Sequence, residues 1–300
     1  MTKKQQTNQF KPFEGIQCCG NKRLHKFGMF RRKSDSRTIQ RYRCQSCGKT
    51  MSNATIDPAC WQKKRHLNHN CMMLLASCVS MRRISKVMNL NQKTVARKLV
   101  YLGNTLKLRL NQADIRDVTH VQFDELQTIE HSKCKPLSVA MAVSKTDRQI
   151  LGFHVSKMPA TGHLANPSRK KYGPRPDHRK RGLRQLFRDL QPKLSPTIEM
   201  TSDECTFYGP AVQRYFPQAV YHQFKGEKSA VYGQGELKRV KRDPLFSINH
   251  SFAMLRANIN RLIRKTWCTT KKISRLIDHL SIYTWIHNIK ITKTPAFSTI

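Results

Sequence analysis

Two carboxylates stand where carboxylates are expensive to keep. Asp124 lies inside the β-rich run HVQFDELQTIEH, and Asp203 closes a second apolar run, PTIEMTSDE. An ionised acid in a half-buried strand is unfavourable unless a cation or a hydrogen-bond donor meets it. Hard divalent cations such as Mg2+ or Mn2+ favour charged oxygen ligands. Two such ions a few ångströms apart would serve phosphoryl displacement, one activating a water or a 3′-hydroxyl and the other stabilising the leaving oxygen. Glu125 and Glu204 follow the two acids directly. They could orient water or lysines around such ions, or be plain surface acids beside strand ends.

A third contribution to that site would come from the run INHSFAMLRANINRLIRKTW, residues 248 to 267. Its apolar positions Ile248, Phe252, Leu255, Ile259 and Leu262 alternate steps of four and three, which predicts one long helix with a buried stripe. Asn249, Arg256, Asn260 and Arg264 form the neighbouring polar stripe. If that face lines a DNA groove, Lys225, Arg256 and Arg264 would meet phosphates; otherwise they are a solvated face.

Other chemistry-bearing residues are cysteines. RYRCQSCGKT places Cys44 and Cys47 in a Cys-x-x-Cys knuckle with a glycine behind it, the spacing that lets two thiolates reach one Zn2+. A preceding pair, Cys18 and Cys19, would complete the tetrahedron, although regular spacing would need a cysteine at Ile16. Two adjacent thiolates bind one ion only with strain, so His25 is an alternative fourth ligand. Ten cysteines behind a start, MTKKQQTNQF, that lacks an apolar export core predict metal ligands or buried thiols in a cytoplasmic protein. The longest apolar-leaning run, Cys71 to Val79, is too short to span a bilayer, so no membrane partner is expected.

Charge selects the partner. With 56 Lys and Arg against 18 Asp and Glu, the 300-residue chain carries a formal +38, and its 38% apolar content is enough for packed cores. Self-repulsion of that size opposes compaction unless a polyanion is at hand. Spread along the chain and interleaved with apolar periodicity, the charge points to nucleic acid bound through phosphates, ahead of a ribosomal-type or membrane-surface role.

The elements that must position these residues follow in order. Residues 1–55 read as a zinc-ribbon-like DNA-binding segment. Residues 56–112 read as helical, with an amphipathic segment from Gln62 to Cys78, then two crossing helices joined by a turn at Asn89 to Asn91. Asn91 would cap the second helix and expose Lys93, Arg97 and Lys98, as a helix-turn-helix presents its recognition helix to the major groove; an ordinary helical hairpin is the alternative. Residues 113–300 give three β-runs separated by the polar breaks SKC and TDR, then helix, strand, helix, strand and helix. Basic interruptions fall at 158–182, read as a long loop or insertion that includes Lys170 and Lys171 and tracks a DNA backbone or is merely a solvated arm, and at 225–246. This order, with one acid on the first strand and another ending the fourth, is that of an α/β ribonuclease-H-like catalytic domain.

RYRCQSCGKT, the helix-turn-helix, QFDEL, and EMTSDE followed by the RLIRKT helix together resemble the bacterial insertion-sequence-one family of transposases, over roughly residues 15 to 290. The resemblance implies a DDE-type domain with Asp124 and Asp203 as metal ligands, and recognition of terminal inverted repeats in double-stranded DNA by the N-terminal half. It further implies strand cleavage and transfer to target DNA, with a homodimer as the active complex. One departure stands out. The family pattern has a glutamate directly after the Ile that opens the helix, and this chain has Asn249. Asn249 could ligate through its neutral carbonyl, or Glu236, 33 residues after Asp203, could supply the acid. Alternatively the core is inactive and the chain is a DNA-binding regulator. A nuclease selective for DNA structure is a further reading.

Overall fold

The structure is a computed structural model, described for residues 19, 24–33, 36–52, 59, 62–113, 115, 118–225, 243–263 and 268–292. Two compact units divide it, Met1–Asn68 and His69–Ile300. Among the described residues no helix is long and apolar enough to cross a membrane.

The first unit is a three-stranded antiparallel sheet, β1 (Leu24–Arg31), β2 (Thr38–Cys44) and β3 (Thr50–Ser52), in the order β1-β2-β3. On β2 the exposed Arg41 and Arg43 alternate with the buried Tyr42 and Cys44, the period-two pattern of a sheet with one covered face. A bulge between Lys26 and Met29 breaks the register, and Gly28 takes the positive φ of 70° that the extra residue requires.

Helices α1 (Asn68–Leu75), α2 (Met81–Val87) and α3 (Gln92–Gln112) follow. The expected amphipathic run from Gln62 is thus shorter, a 3-10 turn at Arg65–Leu67 leading into α1. Both later helices start on side-chain caps: Ser80 Oγ accepts from Arg83 N–H and Asn91 Oδ1 from Lys93 N–H. Lys93 and Arg97 are exposed as expected. Lys98 is not; it is buried at 4% exposure on the side of α3 that also buries Val95, Leu99 and Leu102. α3 packs along α8 (Ile273–Thr292), and Lys98 lies near enough to Cys71 of α1 for its charge to act on that thiol.

The core of the second unit is a five-stranded mixed sheet in the order β6-β5-β4-β7-β8. β4 (His120–Glu130), β5 (Ser132–Ser144) and β6 (Ile150–Lys157) pair antiparallel, while β7 (Glu199–Asp203) runs parallel to β4 and β8 (Val220–Phe224) parallel to β7. Antiparallel neighbours need only tight turns, here through His131 and Arg148 at φ of 62° and 63°. The SKC break expected between the first two strands is instead the start of β5, because His131 alone makes the turn. Parallel neighbours need crossovers, supplied by α5 (Arg179–Leu190) and α6 (Tyr208–Tyr215). Phe123, Met200, Leu183, Phe187, Tyr208 and Phe216 form the core beneath those two helices. On the opposite face α7 (Phe246–Asn258) covers β4 and β5, and α8 reaches β6.

Two expectations about segments are corrected. Residues 158–182 are not one long loop: a 3-10 turn at Gly162–Leu164 leads into α4 (Ala165–Tyr172), and α5 already begins at Arg179. Ser168 is buried and donates its hydroxyl to Cys134 O at 2.6 Å, pinning α4 to the sheet. The helix expected over 248–267 stops at Asn258 and resumes as a 3-10 turn, Asn260–Leu262. Its apolar stripe is nonetheless buried throughout, from Ile248 at 0% to Leu262 at 2%. The break is made by tertiary contacts: Asn258 O accepts the Cys78 N–H at 2.7 Å, and the turn buries Arg261 against His279.

Candidate functional site

β4 and β7 are paired from His120↔Glu199 to Gln122↔Thr201. Two residues further along each strand stand Asp124 and Asp203. Side chains alternate, so Gln122, Asp124, Thr201 and Asp203 share the face that α7 covers, and Phe123 and Met200 point into the opposite core. Topology alone therefore brings together two acids 79 residues apart in sequence.

Neither acid is held in its charged form by a cation among the described residues. Burial first, and then the Asp203 carboxylate, push Asp124 up to about 7 from an ordinary 3.8, despite hydrogen bonds to its Oδ1 from the Glu125 N–H at 2.6 Å and the Tyr208 hydroxyl at 3.2 Å. Burial also raises Asp203, and its Oδ1 is buried with no hydrogen-bond partner among the described residues. An orphaned carboxylate oxygen beside a carboxylate that ionises only near neutrality offers hard donors of the kind a divalent cation takes. Two carboxylates are a partial ligand set: among the described residues, three metal-ligating side chains gather only at a cysteine cluster in the N-terminal unit.

The start of α7 is anchored to this same face. Gln122 Nε2 donates to Pro244 O at 2.7 Å, and Gln122 Oε1 accepts from Ile248 N–H at 3.1 Å. Asn249, next along, donates from Nδ2 to Asp243 Oδ2 at 2.9 Å, and Asp243 Oδ1 in turn accepts from Leu245 N–H. Sequence reasoning missed Gln122, Asp243 and Tyr208. Gln122 was findable, being polar and in phase with Asp124 on an apolar strand. Asp243 precedes a proline and a helix, as helix-starting acids do. Nothing local marks Tyr208.

Among the remaining candidates, Glu125 faces α5, its Oε2 3.9 Å from Arg179 Nη1, and burial raises it. Glu204, Lys225 and Arg256 are exposed, as are Lys170 and Lys171 at the end of α4. His250 Nε2 lies 3.3 Å from Arg148 Nη1, away from the two acids' hydrogen bonds. Glu236, Arg264 and Cys18 lie outside the described residues.

A second chemical centre is in the N-terminal unit. Among the described residues, Cys19, Cys44 and Cys47 place three sulfurs within 4.8 Å of one another. Cys19 and Cys44 Sγ are 3.8 Å apart, close to the ~3.8 Å edge that a tetrahedron of Zn–S bonds implies. The Cys47 and Ser46 N–H groups turn toward Cys44 Sγ and draw it down to about 7 from 9.0, with the Cys47 bond the largest cause. Gly48, at φ 70°, makes the turn that aims those amides. This cluster could coordinate a structural Zn2+ through three thiolates. His25 does not join it: it packs edge-on to Phe27 on the other face of the sheet.

A mixed five-stranded sheet flanked by helices, carrying paired acids at β4 and β7, has the ribonuclease-H-like type of architecture. With the N-terminal cysteine cluster and helical region it is consistent with the nuclease and integrase-like superfamily of nucleic-acid-processing enzymes. No protein-family model and no curated protein matches the chain.

Proposed function

We propose that this protein is a DDE-type transposase in which the third acid has been displaced, cutting and joining DNA at the ends of a mobile element. The observation that carries the reading is the in-register pair Asp124 and Asp203, with Oδ1 of Asp203 buried and unpartnered among the described residues, on the face where α7 begins. Divalent ions held by these two carboxylates would supply the activated hydroxyl and the stabilised leaving oxygen. The chain itself does the rest. Gln122 locks the start of α7 against β4, which would keep Asn249, the next residue along from Ile248, within reach of the two acids. Because Nδ2 of Asn249 is engaged by Asp243, its Oδ1 is left as the acceptor end, and Asp243 contributes the negative charge that the amide lacks. Tyr208 holds Oδ1 of Asp124, leaving Oδ2 for an ion. The excess of cations, +38 in all, fits phosphate-dominated binding of terminal repeats and target DNA, with Lys93, Arg97, Lys170, Lys171 and Arg256 as exposed contacts.

Asn249 also favours a second reading, a DNA-binding regulator built around an inactive core. Purified protein incubated with Mg2+ or Mn2+ and DNA carrying its own element ends separates the two. Nicked or transferred strands are expected from the parent, with a loss of about a thousandfold or more in Asp124→Asn and Asp203→Asn. Asn249→Ala, Asp243→Asn and Glu236→Ala tested side by side assign the third position. No cleavage by the parent, with unchanged end binding, would establish the regulator instead.

A further inference from the structure

We propose that the exposed face of the N-terminal sheet is a stacking platform for single-stranded DNA, centred on Phe27. Opposite residues of antiparallel strands share a face, so Phe30 lies with Ile39 on the side that also presents Arg41 and Arg43. The bulge at Gly28 turns Phe27 onto the same side, where both guanidiniums lie over its ring, 5.6 Å and 5.4 Å from its centroid. His25 meets it edge-on from the same strand.

The arrangement is held in place and yet left open. Gln40 Nε2 closes the bulge by donating to Gly28 O at 2.8 Å, and Arg43 Nε reaches Gly48 O at 3.3 Å, tying the cationic side to the cysteine knuckle. Even so, Phe27 is 39% exposed and Phe30 38%. Large apolar rings kept at the surface of a small sheet gain from a planar partner that removes them from water. The chemistry of that partner is set by charge: the Arg41 and Arg43 guanidiniums stand over the Phe27 ring, and Lys26, Arg31, Arg32 and Arg37 add positive charge elsewhere on the same hairpin. A polyanion with exposed aromatic faces satisfies both demands. In duplex DNA the base faces are stacked on one another and out of reach, whereas a single strand offers them freely. Among the described residues the sheet also projects no helix that could enter a major groove. The platform stands independently of the strand-transfer reading, since it uses none of the residues around Asp124.

Fluorescence anisotropy of the full chain with a labelled single-stranded oligonucleotide, its duplex and the RNA of the same sequence tests this. The Asp124→Asn background removes any cleavage. Phe27→Ala should weaken single-strand binding about tenfold or more, leave duplex affinity within about twofold, and be rescued by Phe27→Trp. Arg41→Gln should lower the salt dependence of single-strand binding by roughly one phosphate contact. Equal losses for both DNA forms that Phe27→Trp does not restore, no change in either, or a loss confined to RNA would each overturn the proposal.

Discussion

His279 is the titratable residue that the fold constrains most. Arg261 Nε donates to its Nδ1 at 3.0 Å, so the ring proton sits on Nε2 and is given to Leu75 O at 2.7 Å. Burial, and then the Arg261 charge, pull it down to about 3 from 6.5. A histidine with a lowered folded pKa contributes stability above its unfolded value that is lost as pH falls from 6.5 toward 3. Asp124 acts oppositely. Its folded value near 7 exceeds the unfolded 3.8, so without a divalent ion it weakens the fold progressively as pH rises from about 4 to 7. The two slopes oppose each other between about pH 4 and 6.5. Measured by urea denaturation of the metal-free protein over that range, the acid loss of stability should be steeper in Asp124→Asn than in the parent, by up to ~1.4 kcal/mol per pH unit. Mg2+ should restore stability near pH 7.5 in the parent and not in that variant. His279→Ala, which strands the Arg261 guanidinium and Leu75 O, should cost about 3 kcal/mol or more by the same assay.

At the level of the elements, α3 and α8 approach each other so closely that a side chain as small as methyl has no room. A Cβ on Gly103 would lie 2.4 Å from Cβ and 2.5 Å from Cα of Asp278. In an isolated helix Gly→Ala gains about 1 kcal/mol; here overpacking against backbone should reverse the sign, and Gly103→Ala should lower the denaturation midpoint by the equivalent of about 1–3 kcal/mol. Most strands and helices were legible in sequence because their signal is local: alternation around Asp124, an acid closing the β7 run, and an Asn91 cap before Gln92. What escaped was set by partners distant in sequence. The 248–267 periodicity continues past Asn258, and only the Cys78 N–H arriving from the α1–α2 connection shows why the helix stops there. Lys98 is periodic with exposed cations, and its burial near Cys71 of α1 is a tertiary contact that no local pattern announces. Of the candidate site, the two acids were legible. The Gln122 clamp and the Asp243–Asn249 pair were not, since they exist only once α7 docks on β4.

For the molecule as a whole, charge and thiols set the conditions under which it works. If Cys19, Cys44 and Cys47 hold one Zn2+, the intact protein should contain about one zinc per chain by elemental analysis, and Cys44→Ser should lose it and melt the first unit while the second keeps its cooperative transition. Helix α8 has a consequence of a different kind. Asn288 clamps the edge of β6, with Oδ1 accepting from Ile150 N–H at 3.0 Å and Nδ2 donating to Ile150 O at 2.9 Å. The same helix brings Asp278 against Gly103 and His279 against Leu75 O. On the ribosome, α1 and α3 emerge early, yet their covering helix is made only after the whole sheet, about 10–40 s later at ordinary elongation rates. During that interval the apolar side of α3 and an unpaired strand edge stand open together. The nascent chain thus carries an exposed apolar surface of the kind holding chaperones bind, and the core of the second unit closes only once α8 has been translated.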